Sequence, residues 1–394
     1  MSKLKELTSK IGSGATPLGG ERAYKTEGIS LIRSQNVLDF GFNYNNLAKI
    51  DDTQAKELNN VEVQENDILI NITGDSIARV CIVPNDVLPA RVNQHVSIIR
   101  CNNKIDANYL LCYLYFIKKY LLTICKVGGT RNALTKEALE KLEISYNTDT
   151  ENQKKLVSII DFILKKIDIN NKINKELENL AKTLYEYWFV QFDFPDENKR
   201  PYKSSGGKMI YNEKLKREIP IGWEVKQIGS ILKEQEKSSV QVNQANNNGK
   251  YPFFTSGNDI LKYDEYFVDD MHCYLSTGGN TCVKYYYGKA SYSTDTWCIS
   301  ANEYTFYLHN YLVSINNQMD TLYFAGTGLK HLQKDIFKNS YIVIPPYDCI
   351  KKYNNIVSNG YKISSKKYLE NQELTIVRNF LLPMLVNGQI GIIA

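Results

Sequence analysis

Much is missing from this 394-residue chain, and each absence narrows what it can do. No apolar run approaches the roughly 20 residues that a membrane-spanning helix needs. The opening Met1-Ser2-Lys3-Leu4-Lys5-Glu6-Leu7 lacks the apolar segment of a secretory signal, so the protein is expected in the cytoplasm. The eight cysteines include no C-x-x-C pair, and none stands near a histidine at zinc-ligand spacing. Several lie in apolar runs, as Cys112 does in Leu110-Leu111-Cys112-Tyr113-Leu114, and read as buried free thiols of a reducing compartment. His95, His272, His309 and His331 are scattered, and His272-Cys273 has no further ligand at a matching interval, so no metal is expected.

Catalytic signatures are missing as well. There is no G-x-x-x-x-G-K-[ST] loop, which excludes a P-loop ATPase. Gly12-Ser13-Gly14-Ala15-Thr16-Pro17 follows no convincing strand and does not read as a cofactor loop. Ile344-Pro345-Pro346-Tyr347 shares Pro-Pro-Tyr with the base-amine loop of nucleic-acid methyltransferases, but Ile344 cannot accept a hydrogen bond from a target amine. It reads as a strand stop before a helix. No Asp/Glu cluster with lysine suggests a nuclease. The chain is therefore expected to hold no catalytic residues and no cofactor of its own. A self-contained DNA methyltransferase or nuclease is disfavoured, and a coiled-coil scaffold without a DNA role is the other alternative.

Strong charge is absent too. The net charge of +5 permits nucleic-acid binding without arguing for it. The length implies two or three domains, each with its own core. The 28 tyrosines against 14 phenylalanines suit interfaces, although a Lys/Asn/Tyr-rich composition accounts for them equally well.

What is present is a repeat. Gly128-Gly129-Thr130-Arg131-Asn132 in the first half answers Gly326-Thr327-Gly328-Leu329-Lys330-His331 in the second. Gly326-Thr327 lies 197 residues beyond Gly129-Thr130, half the chain. Each stretch leads into a short β-like run, Leu142–Ser145 and Tyr341–Ile344, and then into a long helical pattern. Two more Gly-rich turns, Thr73-Gly74-Asp75-Ser76 and Ser276-Thr277-Gly278-Gly279-Asn280, complete one pair per half. Small residues let a backbone approach phosphates, and their polar neighbours can bond phosphates or base edges.

The chain divides as 1–147, α+β with strands at 67–74 and 92–100 and a helix at 107–120; 148–194, a long helix; 195–218, a polar linker; 219–346, a second globular unit; and 347–394, a second long helix and tail. Strands are expected at 271–277, 281–287 and 305–308. Thr148-Asp149-Thr150-Glu151 has the form of a capping box. The first helix carries a heptad seam, Leu156, Ile160, Ile163, Ile167, Asn170, Asn174, Leu177, Ala181 and Leu184, in which an asparagine can fix register. The second carries a weaker seam, Tyr353, Ile356, Ile363, Leu374, Val377 and Leu381, and is expected to stop at Pro383. Antiparallel pairing would bury both seams.

This order resembles the specificity subunit of type I restriction-modification systems over nearly the whole chain. Ile219-Pro220-Ile221-Gly222-Trp223-Glu224 is similar to the Pro-x-Gly-Trp opening of a target recognition domain. Leu184-Tyr185-Glu186-Tyr187-Trp188-Phe189-Val190-Gln191-Phe192-Asp193-Phe194-Pro195 and Leu381-Leu382-Pro383-Met384-Leu385-Val386-Asn387-Gly388-Gln389-Ile390 resemble the family's helix endings. The first half departs slightly, because Leu4-Lys5-Glu6-Leu7 has no such lead-in. The resemblance implies an α+β protein with two pseudo-repeated target recognition domains separated by two long helices in an antiparallel coiled-coil rod. It implies that each domain reads one half of a split site in double-stranded DNA. The rod would space the halves and dock methyltransferase subunits, two of them, which recruit restriction translocase-nuclease subunits. S-adenosylmethionine, ATP and Mg would belong to those partners.

The family's DNA contacts vary, so the candidates come from residue chemistry alone. In the first unit they are Arg33, Gln35, Asn36, Thr73, Asn93, Gln94, Gly129, Thr130, Arg131 and Asn132. In the second they are Thr277, Asn280, Lys284, Gly326, Thr327, Lys330 and His331. Leu156, Ile160, Ile163, Ile167, Leu177, Leu184, Ile356, Ile363, Leu374 and Val377 are expected to be rod core or partner-facing.

Overall fold

The structure, a computed structural model, describes residues 1–125, 133–246, 249–328, 330–387 and 389. The chain forms two compact units, Met1–Ile167 with Glu373–Ala394, and Asp168–Gln372. Both long helices contribute to both units.

In the first unit the main strands are β1 (Thr8–Ser13), β2 (Ile29–Ile32), β3 (Ala48–Ile50), β4 (Glu62–Val63), β5 (Ile68–Asn71), β6 (Val80–Ile82), β7 (Ala90–Val92) and β8 (Val96–Cys101). They make two sheets, ordered β1-β8-β5-β6 and β3-β2-β7-β4. Successive side chains of a strand point to opposite faces. Ile68 and Ile70 therefore enter one core with helix α1 (Ala107–Phe116), while Leu69 enters another, between the sheets, with Val96 and Ile98. A strand covered on both faces reads as a continuous apolar run, which is what Ile68-Leu69-Ile70 presents. Each of these fully buried side chains contributes about 1.5–3 kcal/mol. Where a charge enters, it is paired: Asp67, wholly buried, accepts from both Nε and an Nη of Arg100 at 2.7 Å.

The second unit repeats this plan. Its strands are β9 (Lys233–Glu234), β10 (Tyr251–Phe254), β11 (Ile260–Tyr263), β12 (Met271–Ser276), β13 (Val283–Tyr287), β14 (Ser291–Tyr292) and β15 (Thr296–Ser300). The sheets are ordered β9-β15-β12-β13 and β11-β10-β14. Strand for strand this is the order of the first unit, without a counterpart of β4. A parallel pairing recurs as well, Ala90 opposite Ser30 in one unit and Phe253 opposite Ser291 in the other. Met271, Cys273 and Leu275 face one core and Tyr274 the other.

The long helices are α2 (Thr150–Tyr185) and α4 (Tyr347–Val386). The N-cap of α2 is Asp149 rather than Thr148: its Oδ1 accepts from the N–H groups of Glu151 (3.0 Å) and Asn152 (3.4 Å). In the first unit Leu156 and Ile160 share a core with Leu382 and Leu385. In the second, Asn170 is wholly buried and donates to Asn371 Oδ1 (2.8 Å) and Glu370 Oε2 (3.1 Å), while Tyr353 donates to the Ala181 carbonyl (3.3 Å). The residue numbers rise on one helix as they fall on the other, so these segments pair antiparallel. Ile163 is buried, and Ile167, Leu177 and Leu184 are partly so.

Several sequence expectations change. On α4 the buried line passes through Tyr353, Val357, Tyr361, Ser364 and Ser365, leaving Ile356 and Val377 half exposed and Ile363 and Leu374 intermediate. Small serines serve as core here because they bond the sheet: Tyr285 Oη lies 2.8 Å from Ser364 Oγ, and Tyr287 N donates to Ser365 Oγ (2.9 Å). Pro383 does not stop α4, which continues to Val386. Leu385 and Val386 are buried, and Asn387 N closes the last turn on the Pro383 carbonyl (3.0 Å). Residues 305–308 are not a strand but open helix α3 (Thr305–Leu322), whose Leu308, Leu312 and Met319 keep helical spacing. The expected linker is folded, with a hairpin of Met209–Asn212 against Arg217–Pro220.

Helix α3 is tied to α4 within the second unit. His309 Nδ1 lies 2.7 Å from Tyr361 Oη, and Asn310 donates to Tyr353 Oη (3.0 Å) and Tyr361 Oη (2.7 Å). Burial pushes the His309 pKa from 6.5 down to about 3. The unfolded chain takes up this proton below about pH 6.5 and the folded one does not, so stability falls with pH across that window, by about 1.4 kcal/mol per unit. Denaturant unfolding at pH 6.5, 5.5 and 5.0 should show that slope, and His309→Asn should flatten it while lowering stability at pH 7. An unchanged slope in the variant would count against this assignment.

Candidate nucleic-acid interface

At the end of β5 three connections meet. Ile72 N donates to the His95 carbonyl (3.0 Å), Leu134 N donates to the Ile72 carbonyl (2.9 Å), and Thr73 bridges Ala133. At the end of β12 the same node recurs. Thr277 N donates to the Asp295 carbonyl (3.1 Å), Leu332 N to the Thr277 carbonyl (3.0 Å), and Gly278 bridges His331. A neighbouring turn matches too: Asn93 N bonds Ile32 O (3.0 Å) and Val96 N bonds Asn93 O (3.1 Å), as Ser293 N bonds Phe254 O (2.9 Å) and Thr296 N bonds Ser293 O (3.1 Å). Asn93-Gln94-His95-Val96 therefore corresponds to Ser293-Thr294-Asp295-Thr296. Glycines suit the turns beside the node because Gly74 (φ 76°), Gly279 (φ 77°) and Gly326 (φ 143°) hold backbone angles that side chains resist.

In the second unit the node brings together the two Gly-rich turns of that half. Thr277 and Gly278 meet Lys330 and His331, with Gly279 N donating to the Lys330 carbonyl (3.0 Å). In the first unit Thr73 meets the residues that directly follow the Gly128–Asn132 stretch. Gly129, Thr130, Arg131 and Asn132 themselves lie outside the described residues.

The main chain is shared, but the side chains are not. In the first unit Thr73 Oγ1 lies 2.6 Å from His95 Nδ1, and Gln94 Nε2 lies 3.1 Å from His95 Nε2. Thr16 donates to Gln94 Oε1. In the second unit Thr277 donates to the Asp295 carbonyl (2.8 Å) and the Asp295 side chain is exposed. Thr327, Lys330 and His331 are exposed, and Lys330 pairs with Asp320 at 2.5 Å. Asn280 is exposed, and its carbonyl accepts from Ser276 Oγ (2.9 Å).

Other candidates sit elsewhere. Arg33, half-buried, lies over the Tyr24 ring (5.1 Å) and donates to the Asn46 carbonyl (2.5 Å), which exposed Gln35 also approaches (3.4 Å). Asn36 and Asn93 need correcting, because both are internal. Asn36 is wholly buried, accepts from Arg33 N (3.0 Å) and donates to the Asn43 carbonyl (2.8 Å). Asn93 Oδ1 accepts from His95 N (3.2 Å). Lys284 is held inward by the Thr255 carbonyl (2.6 Å) and that of Gly257, and burial lowers its pKa. Sequence reasoning passed over Thr16, His95 and Asp295; the signal available was the break in strand alternation at Asn93-Gln94-His95.

The pattern described as "Type I restriction modification DNA specificity domain" matches residues 1–179 and 220–376. The chain belongs to this family. The type I restriction enzyme MjaIX specificity subunit of Methanocaldococcus jannaschii is 26% identical over 428 residues, which cover 100% of this chain and 93% of the relative. The HindI specificity subunit of Haemophilus influenzae is 28% identical over 171 residues, covering 42% of this chain and 36% of the relative. In fold, the chain is similar to the type I restriction-modification S subunit of M. genitalium, with a TM-score of 0.59, 13% identity, and coverage of 98% of this chain and 95% of that one. Both copies of the specificity domain contain a complete node. No group of three or more His, Cys, Asp or Glu among the described residues could hold a metal, and no helix there is long and apolar enough to cross a membrane.

Internal and surface candidates should separate by their effect on stability. Asn36→Ala removes two buried hydrogen bonds and should cost about 2–3 kcal/mol in urea unfolding, whereas Gln35→Ala should stay within about 0.5 kcal/mol. Equal effects would reverse the assignment.

Proposed function

We propose that this chain is the DNA-reading subunit of a type I restriction-modification complex, acting in the cytoplasm, without catalysis of its own. Each unit reads one half of a bipartite site in double-stranded DNA. Helices α2 and α4 set the interval between the halves and dock methyltransferase subunits, two per chain, which in turn hold the restriction translocase-nuclease. S-adenosylmethionine, ATP and Mg belong to those partners. One observation carries this reading: the same main-chain node occurs once per unit with different side chains on it. A repeated scaffold with changed surface chemistry suits two half-sites that share a backbone and differ in bases.

Docking has its own support. Ile159, Phe162, Ile169, Ile173 and Leu180 follow heptad steps along α2, on a line apart from its buried seam, and are exposed, Phe162 by 70% and Leu180 by 57%. Apolar residues at this spacing suit a helix of a partner. Phe162→Asp with Leu180→Asp should abolish co-purification of the methyltransferase while leaving the circular-dichroism melt unchanged; retained co-purification would place the docking surface elsewhere.

The overall reading is tested by mapping N6-methyladenine genome-wide in the source cell with and without the gene. Loss of one split motif is the expected result, and an unchanged methylome in a cell with an active methyltransferase would reject the reading. Inserting one heptad into both α2 and α4 adds about 10 Å, and should widen the unread gap by about three base pairs with both half-sites intact. Altered half-sites in that variant would reject the spacing role.

A further inference from the structure

The turn Gly14-Ala15-Thr16-Pro17 leaves the end of β1 and packs on the β7–β8 connection. Gly14 N donates to the Val96 carbonyl (2.9 Å) and Ala15 N to the Val92 carbonyl (3.0 Å). A Cβ on Gly14 would lie 2.1 Å from the Val92 carbonyl oxygen, so only glycine permits this approach. The consequence is two residues on: Thr16 reaches the side chain of Gln94. Thr16, Gln94, His95 and Thr73 then form one continuous hydrogen-bonded row at the exposed end of the sheet.

Gln94 is exposed, yet both ends of its amide are held. One lone pair of Oε1 takes the Thr16 hydroxyl, and one N–H of Nε2 faces His95. That leaves one lone pair and one N–H, an adjacent acceptor and donor, which is the pair that meets N6 and N7 of adenine in the major groove. Fixing the side chain beforehand removes the ordering cost that a free glutamine would bear on binding. At the equivalent place the second unit carries Thr294-Asp295. Asp295 is exposed and can only accept, which suits the N4 amine of cytosine.

We propose that the residue pair at this turn is a base-reading element in each unit, with Gln94 reading an adenine in one half-site and Asp295 a cytosine in the other. This rests on the DNA-reading role proposed above. The neighbours divide the work: Gly14 and Thr16 position Gln94, Thr73 orients His95, and the shared main-chain node holds the turn whatever side chains it bears. Specificity can then change without altering the fold beneath.

The test is a reciprocal exchange in the source cell with its own partner subunits, read by the methylome. One strain carries Gln94→Thr with His95→Asp, the other Thr294→Gln with Asp295→His. Each should change one letter of one half-site and leave the other half-site and the gap untouched. A third variant, Gln94→Glu, keeps size and exposure, and should lower methylation of sites with adenine at that position by about ten- to hundredfold relative to sites without it. Half-sites kept letter for letter, or a uniform fall across all sites in Gln94→Glu, would overturn the assignment, since a backbone contact or a loss of fold acts on every sequence alike. The unmodified strain separates the two levels of failure. If it shows no split motif, the DNA-reading role falls; if it shows one that the exchanges leave intact, only this assignment falls.

Discussion

Each unit is built around a strand with no exposed face. β5 and β12 are buried above and below, so a polar group along them costs free energy unless it finds a buried partner, as Asn71 Nδ2 does on the Ser34 carbonyl; Tyr274 Oη bears that cost unpaired. Asp67 shows the condition under which a charge is tolerated there, bound by Arg100 on both oxygens. Chemistry directed at solvent is thereby displaced to the strand ends, where the chain must turn. The node follows from this. Connections that leave a buried sheet carry N–H and carbonyl groups needing partners, and they satisfy one another across three segments.

The helices obey a related rule with a different outcome. The apolar residues of their buried seams gather into the core of one unit or the other, while the middle of the seam is polar, with Asn170 and Asn171 facing Asn371. A buried amide such as that of Asn170 is worth less than leucine in stability, but it admits few alternative partners. Asn170 keeps one acceptor unused, its Oδ1, as does Asn174 one turn further on. The pairing is selected here more by what can satisfy an amide than by how much apolar surface is covered.

Much of this was legible in the residues. The repeat, the two long helices and the strands at 67–74 and 271–277 followed from periodicity and turn chemistry. The first heptad seam was traceable because six of its nine members are leucine or isoleucine. The second was displaced at Ile356 and Val377 because tyrosines and serines do the packing, and a pattern based on aliphatic residues cannot find a serine that is buried by bonding a sheet. Thr305–Leu308 read as a strand because a β-branched residue followed by aromatics mimics one over four positions; only the next three turns, through Leu312 and Met319, disclose the helix. Pro383 read as a stop because local rules omit the core waiting for Leu385 and Val386. Of the interface candidates, Thr277, Lys330 and His331 on the Gly-rich turns of the second unit came together, whereas Asn36 and Asn93 proved internal. An asparagine that caps a loop and one that faces solvent look alike until the loop closes.

Gly14 has a consequence beyond packing. Its requirement is set by a carbonyl oxygen of the main chain, which is present whatever side chains occupy the neighbouring turn. A residue constrained by backbone alone stays fixed while those around it vary. Over long divergence such a protein can rewrite one of its two halves and keep the other, so the number of addresses available to descendants grows as a product of choices rather than a sum.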